Sequence, residues 1–385
     1  MSRKLLDKNF CALPWSGFIM ESDGSVKNCI LARKVIGNIH KNTITEVLNS
    51  NENKNIKKEM LQGGYPKSCD GCFYQEQGRK TNFDTISSRL YYAKELGPHV
   101  KKNLFDSVEN FDLTHVDLRW SNKCNQACVY CGSHNSTKWA KELGIKQSYE
   151  KQNIEKVKEY VFSNIKNLKN VYLAGGEPLM MNENKEFLKL LLKENKDVNL
   201  RVNTNLSNTK TGVFQLIQQF KNVHWTISVE SIEKEYEYIR YGGKWSDFVR
   251  NLETISSLKG HRVSFNMLHF ILNYMSIFDC IEFLQSLGFH NNSFVVGPLY
   301  TPVYLNIKNL DQKSKKEVKR KLEDLIDDKP GFLLQNGLEN SLKYLTEPGF
   351  YANIKEVKRQ IEIMDNRRNI DSKIVFHKLY NEVLN

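Results

Sequence analysis

No apolar run in this 385-residue chain approaches the roughly 18 residues that a membrane-spanning helix needs. A helical membrane protein is thereby excluded. The opening stretch MSRKLLDKNFCALPW has basic residues but no sustained apolar segment, so no secretory signal is expected. Cysteine is scarce, with eight in the chain. A disulfide framework needs an oxidising compartment and a short, cysteine-dense chain, and neither is indicated. The expected location is the cytoplasm, where thiols stay reduced. Internal repeats, low-complexity tracts and long Gly/Ser linkers are also missing, which removes solenoids and flexibly tethered arrays.

What remains is a globular composition, 40% hydrophobic and 26% charged, with a formal net charge of +12. A basic balance attracts an anionic partner: a phosphorylated compound, a nucleic acid or an acidic peptide. The lysines, however, are spread through Lys/Glu mixtures such as 183–196 and 311–328. Spread charge is the mark of a solvated surface, so nucleic acid stays open without being favoured.

Seven of the eight cysteines fall into two spaced groups. Cys124, Cys128 and Cys131 lie in Trp120-Ser-Asn-Lys-Cys-Asn-Gln-Ala-Cys-Val-Tyr-Cys-Gly132. Three thiolates at CxxxCxxC spacing can hold three corners of a [4Fe–4S] cluster and leave the fourth iron open to a small molecule. A Cys3His zinc site using His134 is the competing reading. The second group is Cys11, Cys29, Cys69 and Cys72. Four thiolates saturate a cluster, so electron transfer is the expected task, and tetrahedral zinc is the alternative. With both clusters in place the net charge falls to about +9. Cys280, in an apolar helical run, reads as a buried structural thiol.

From residue 115 onward, short β-rich runs alternate with helical periodicity. Strands are expected at His115–Trp120, Asn170–Ala174, Val198–Asn203, Val223–Val229, Arg262–Phe270 and Ser293–Val296. Helices are expected near 151–168, 183–196, 210–220, 245–258 and 275–287. That alternation predicts a parallel α/β sheet with ligands at the carboxyl ends of its strands. Upstream, residues 10–35 read as a hairpin turning at Asp23-Gly24, followed by a helix near 43–61. Downstream, 311–328 and 353–366 read as amphipathic helices.

The second core strand ends in Leu173-Ala-Gly-Gly-Glu-Pro-Leu179. Two glycines allow close backbone approach, and Glu177 offers a carboxylate to an amino group. With the CxxxCxxC run one strand earlier, the sequence resembles the radical S-adenosylmethionine (SAM) enzyme family over roughly 111–300. The resemblance implies a partial (β/α)6 barrel in which Cys124, Cys128 and Cys131 ligate the catalytic cluster. It also implies that SAM chelates the open iron and is cleaved to methionine and a 5′-deoxyadenosyl radical. Gly175, Gly176 and Glu177 match the motif that holds the methionine amino group. Tyr130 matches an aromatic near adenine, Ser228 and Glu230 resemble a ribose-binding position, and Asn203 and Asn205 face the same site. Arg240 is the candidate partner of the SAM carboxylate. The adenine motif is not legible on the fifth strand.

The C-x12-G-x4-C spacing from Cys11 to Cys29, with Cys69-Asp-Gly-Cys-Phe-Tyr-Gln-Glu76, resembles the twitch form of the SPASM auxiliary-cluster module. The expected organisation is a module at 1–82, a connecting segment at 83–110, the barrel at 111–300 and a helical region at 301–385. In familiar members the module follows the barrel. Here it precedes it, so it is expected to fold back over the barrel mouth. Two [4Fe–4S] clusters and SAM are the implied cofactors, with flavodoxin or ferredoxin as electron donor. The implied substrate is a peptide or protein side chain; the alternative is a small polar sugar, aminocyclitol or nucleotide-like molecule. A non-catalytic electron-transfer protein is the reading from another class.

Overall fold

A computed structural model describes residues 9–72, 88–96, 103–146, 151–349 and 352–384. The Phe73–Glu76 end of the second cysteine motif and parts of the 83–110 connecting segment lie outside the described residues. The chain divides into two compact units. Unit 1 comprises Met1–Lys123, Lys146–Asn203 and Lys210–His224; unit 2 comprises Cys124–Ile145, Thr204–Thr209 and Trp225–Asn385.

Unit 1 carries β1 (Gly17–Met20), β2 (Ser25–Lys27), β3 (Gly37–Asn38), β4 (His115–Leu118), β5 (Asn170–Leu173) and β6 (Asn199–Thr204), in the order β3-β2-β1-β4-β5-β6. The hairpin β1–β2 is antiparallel and turns at Gly24, whose φ of +78° suits glycine. β1 then runs parallel to β4, with Gly17 opposite His115 and Met20 opposite Leu118. The cysteine-rich N-terminal segment therefore extends the edge of the sheet beside β4. β4, β5 and β6 are parallel and in register. Alternation puts Val116, Leu118, Val171, Leu173, Leu200 and Val202 on one face, all fully buried. Each such burial contributes about 1.5–3 kcal/mol. The opposite face carries His115, Asp117, Asn170, Tyr172, Arg201 and Asn203.

Two helices, Ile44–Leu48 and Asn51–Leu61, replace the single helix expected at 43–61. Thr43 and Glu46 form a capping box, and Ser50 caps the second helix, so Asn49-Ser50 is a stop followed by a restart. Trp15 is fully buried, stacks on Phe10 at 5.2 Å and meets Phe105 edge-on at 5.7 Å. These rings form an apolar floor beside Cys11.

Unit 2 holds most of β7 (Val223–Ser228), then β8 (Arg262–His269) and β9 (Phe294–Pro298), the last two parallel. The helices Trp245–Ser256 and Ser276–Ser286 alternate with them. In each unit the strands alternate with helices, the parallel α/β pattern read from the sequence. The C-terminal region is helical: Gln312–Asp327, Phe332–Thr346 and Ile354–Arg368. Asp311 and Asn353 cap the first and third of these. Among the described residues, no helix is long and apolar enough to cross a membrane.

Candidate functional site

Within unit 2 the loop bearing Cys124, Cys128 and Cys131 is held mainly through its backbone. Ala127 N donates to Tyr241 O at 2.8 Å and Val129 N to Ile239 O at 2.9 Å. Trp139 Nε1 donates to Cys128 O at 2.8 Å, Ser136 Oγ to Gln126 O at 2.5 Å, and Arg368 Nη2 to Ala127 O at 2.8 Å. With its carbonyls taken by these donors, the loop is free to present its sulfurs. Cys128 is buried, while Cys124 and Cys131 are half-buried. Burial pushes the Cys128 and Cys131 thiols up, and the Arg240 guanidinium opposes that rise at both. Its Nη1 lies 3.9 Å from Cys128 Sγ.

Of the residues expected to meet SAM, four converge here. Arg240 bonds Glu230 twice, Nε to Oε2 at 2.7 Å and Nη2 to Oε1 at 2.6 Å. Tyr130 OH donates to Glu230 Oε1 at 2.9 Å and accepts from Arg240 Nη2 at 2.7 Å. All three groups are removed from solvent, so the pair is a buried ion pair with a phenol across it. The guanidinium expected at the SAM carboxylate is thus engaged with Glu230, Tyr130 and the Cys128 sulfur. Asn205 Nδ2 reaches Asn125 Oδ1 at 3.1 Å and Cys124 Sγ at 3.8 Å. Ser228 is half-buried at the end of β7.

Within unit 1, Gly175 (φ +114°) and Gly176 make the turn after β5. A Cβ on Gly176 would lie 2.3 Å from Lys123 O and 2.6 Å from Asn122 C. Gly176 N donates to Ser121 O at 3.2 Å and Glu177 N to Lys123 O at 2.7 Å. The turn therefore clasps the three residues that lead into Cys124. Glu177 is buried and accepts from Leu179 N at 3.1 Å. Asn203 is half-buried on β6.

The second cysteine group also lies in unit 1. Burial pushes Cys11 well up, Cys29 up to about 12 and Cys69 up to about 11. The next causes at Cys11 are repulsion from Cys29, Cys72 and Cys69, so the four thiols lie within electrostatic reach of one another. Thiols raised by burial and by each other ionise only against a compensating positive charge, which iron provides. The donor set fits a cluster. Among the described residues no three His, Cys, Asp or Glu side chains stand close enough to hold a single ion.

The support around this group was not anticipated. Asn53 is fully buried, accepts from Asn28 Nδ2 at 2.9 Å and donates to Leu48 O at 2.7 Å and Pro14 O at 3.3 Å. It thereby pins the segments next to Cys29 and Cys11. Lys57, also buried, spans to Val108 O at 3.1 Å and Asn110 O at 2.9 Å, and burial lowers its pKa to about 8. Nothing local in the sequence marks either residue, although Asn53 and Lys57 do share one helical face. Cys280 is buried on the helix Ser276–Ser286. His269 gives Nε2 to Tyr274 O at 3.1 Å.

Residues 118–297 match the radical SAM superfamily, and residues 11–73 match an iron–sulfur cluster-binding domain, SPASM. A search of curated proteins returned no match. Among solved structures, SuiB of Streptococcus suis bound to S-adenosylmethionine is 14% identical, with a TM-score of 0.41, over 74% of this chain and 60% of that one. Native anSMEcpe with bound AdoMet is 16% identical, with a TM-score of 0.42, over 56% of this chain and 60% of that one. The chain thus spans 60% of the length of either structure. The two sequence matches fall on the two cysteine groups described above: a radical SAM domain match over residues 118–297, preceded by a SPASM iron–sulfur domain match over residues 11–73.

Proposed function

We propose that this enzyme removes a hydrogen atom from a peptide or protein side chain and passes an electron from the product radical to a second [4Fe–4S] cluster on Cys11, Cys29, Cys69 and Cys72. What supports this reading is the match of residues 11–73, which include all four cysteines, to an iron–sulfur cluster-binding domain. A cluster saturated by four thiolates has no open iron, so electron exchange is the work left to it. When bound, the cluster at Cys124, Cys128 and Cys131 and SAM supply the 5′-deoxyadenosyl radical, using one electron from a flavodoxin- or ferredoxin-type donor.

The chain's own residues divide the remaining tasks. Gly175, Gly176 and Glu177 hold the methionine end of SAM, and the backbone they clasp fixes the start of the cysteine loop. Tyr130, Glu230 and Arg240 form a rigid wall beside Cys128, and Asn203, Asn205 and Ser228 complete the SAM side. The substrate would give one hydrogen atom to the 5′-deoxyadenosyl radical, which becomes 5′-deoxyadenosine. The substrate radical would then lose a proton to solvent, and a cluster held by Cys11, Cys29, Cys69 and Cys72 would supply the acceptor for its electron, a net two-electron oxidation of the substrate. The net charge of +12 supports an acidic peptide.

One observation favours a second reading. Tyr91 and Tyr92, on the helix Ser88–Leu96, lie against Arg201 and His115 on the polar face of unit 1. A covered face suits a small polar molecule such as a sugar, aminocyclitol or nucleotide-like alcohol.

Anaerobic turnover of the reconstituted enzyme with deuterated acidic peptides and with deuterated cyclitols separates the two. Deuterium appearing in 5′-deoxyadenosine only with peptide supports the first reading, and only with cyclitol the second. Iron near about eight per chain supports two clusters; about four plus one zinc overturns the second.

A further inference from the structure

The polar face of unit 1 bears side chains that neither the SAM site nor the thiols use. Register places His115 beside Asn170, and Asp117 beside Tyr172 and Arg201, on the same face of three adjacent strands. Part of this row is neutral within itself. Arg119 bonds Asp117 twice at 3.1 Å and Glu21 at 3.1 Å, and Lys27 reaches Glu21 at 3.3 Å.

The rest of the row is short of partners. His115 Nδ1 and Asn170 Nδ2 are buried and make no hydrogen bond. An unmet buried polar group costs about 1–3 kcal/mol, so two on neighbouring strands mark a place where something polar belongs. Arg201 donates from Nη2 to His224 Nδ1 at 3.2 Å and lies 5.5 Å from the Tyr91 ring, yet no carboxylate pairs with it among the described residues. Tyr92 lies 4.6 Å from the His115 ring. Gly17 stands opposite His115, where a Cβ would come within 3.0 Å of the histidine's Cβ and carbonyl oxygen.

We propose that His115, Asn170 and Arg201 form a subsite for a carboxylate carried by the substrate, as on an acidic side chain or a peptide C-terminus. The Asn170 amide and the Arg201 guanidinium are donors, and a neutral imidazole donates from one nitrogen, so an oxyanion satisfies all three. With Asp117 offset by Arg119, the subsite offers one unpaired positive charge. That balances a carboxylate and leaves a phosphate dianion under-compensated. The subsite deepens the peptide reading and rests on it for the identity of the carboxylate's owner.

Calorimetric titration of the reconstituted full-length protein, anaerobic and without SAM or reductant, tests this apart from catalysis. The probes are acetyl-glutamate amide, its neutral isostere acetyl-glutamine amide, and inorganic phosphate. Saturable binding of the first, at least tenfold tighter than the other two, is expected. Arg201→Gln is expected to weaken it ten- to a hundredfold, and Asn170→Leu about tenfold, each with an unchanged circular dichroism melt. No saturable binding means that water fills the gap and overturns the subsite. So does unchanged affinity in Arg201→Gln, or tighter binding of phosphate. Should Arg201→Gln fail to fold, Asn170→Leu decides by the same readout. Failure here with deuterium transfer from a peptide intact removes this subsite alone; carboxylate binding without such transfer removes only the peptide reading.

Discussion

Arg368 Nη2 sits 2.8 Å from the carbonyl oxygen of Ala127, so a side chain from the last long helix fastens the loop between Cys124 and Cys128. Its guanidinium lies between the rings of Trp139 and Tyr241, 4.7 and 4.5 Å from their centres, and its Nε reaches Glu142 at 3.1 Å. Arg368→Ala leaves Glu142 with only the more exposed Arg367 at 3.6 Å. We expect a loss of about 3 kcal/mol in urea unfolding. Iron release from the reconstituted protein to a chelator should also quicken. Arg368→Lys should recover less than half of either effect, since an ammonium lacks the planar fork that fits between two rings.

The Glu230–Arg240 pair gives a second expectation. Removing one partner strands a buried charge, so Arg240→Gln and Glu230→Gln should each cost about 3–5 kcal/mol. The double variant should be more stable than the sum implies, with a coupling of about 1–3 kcal/mol in a denaturant double-mutant cycle. Strictly additive losses would mean that the two act independently.

Gly176 faces backbone, which cannot step aside as a flexible side chain can. Gly176→Ala should therefore cost about 2 kcal/mol, within the range for overpacking. SAM binding, read by equilibrium dialysis, should fall with it. Gly297→Ala is the control: its Cβ meets nothing within 4 Å, and stability should change by under about 1 kcal/mol.

Two buried histidines set a pH dependence. Burial lowers His269 from 6.5 to about 4, and burial with Arg201 nearby lowers His115 to about 3. Between those values and 6.5 the unfolded chain binds protons that the folded chain refuses, so stability rises with pH there. Their contribution is fully present above pH 6.5 and drains away as pH falls toward 4 for His269 and toward 3 for His115. Unfolding free energy of the apo protein, measured at pH 7.5, 6 and 5, should fall by on the order of 4 kcal/mol, about 2 from each histidine. His269→Gln should flatten that slope.

The core strands were legible within a residue or two of their ends, because each is a short apolar run closed by a polar or glycine turn. The helix at Gln312–Asp327 was legible from its period and its Asp311 cap. Local pattern could not show that β1 pairs with β4, since Gly17 and His115 lie far apart in sequence and only backbone bonds join them. Asn53, Lys57 and Arg368 stayed hidden for a related reason. Each is a polar side chain on an ordinary helix whose partner carbonyls belong to distant segments. The helix Phe332–Thr346 was missed because its start is a Gly331 with φ +96°, without a capping side chain. Both cysteine groups stand out by their spacing, and the two family matches fall on them.

The most direct measurement is 5′-deoxyadenosine formation by anaerobically reconstituted protein given SAM and a strong reductant. The wild type should form it, the Cys128→Ala variant should not, and Cys69→Ala should keep forming it while losing about half the iron. Repeated absence of 5′-deoxyadenosine from wild type whose cluster is intact and reducible would contradict the account.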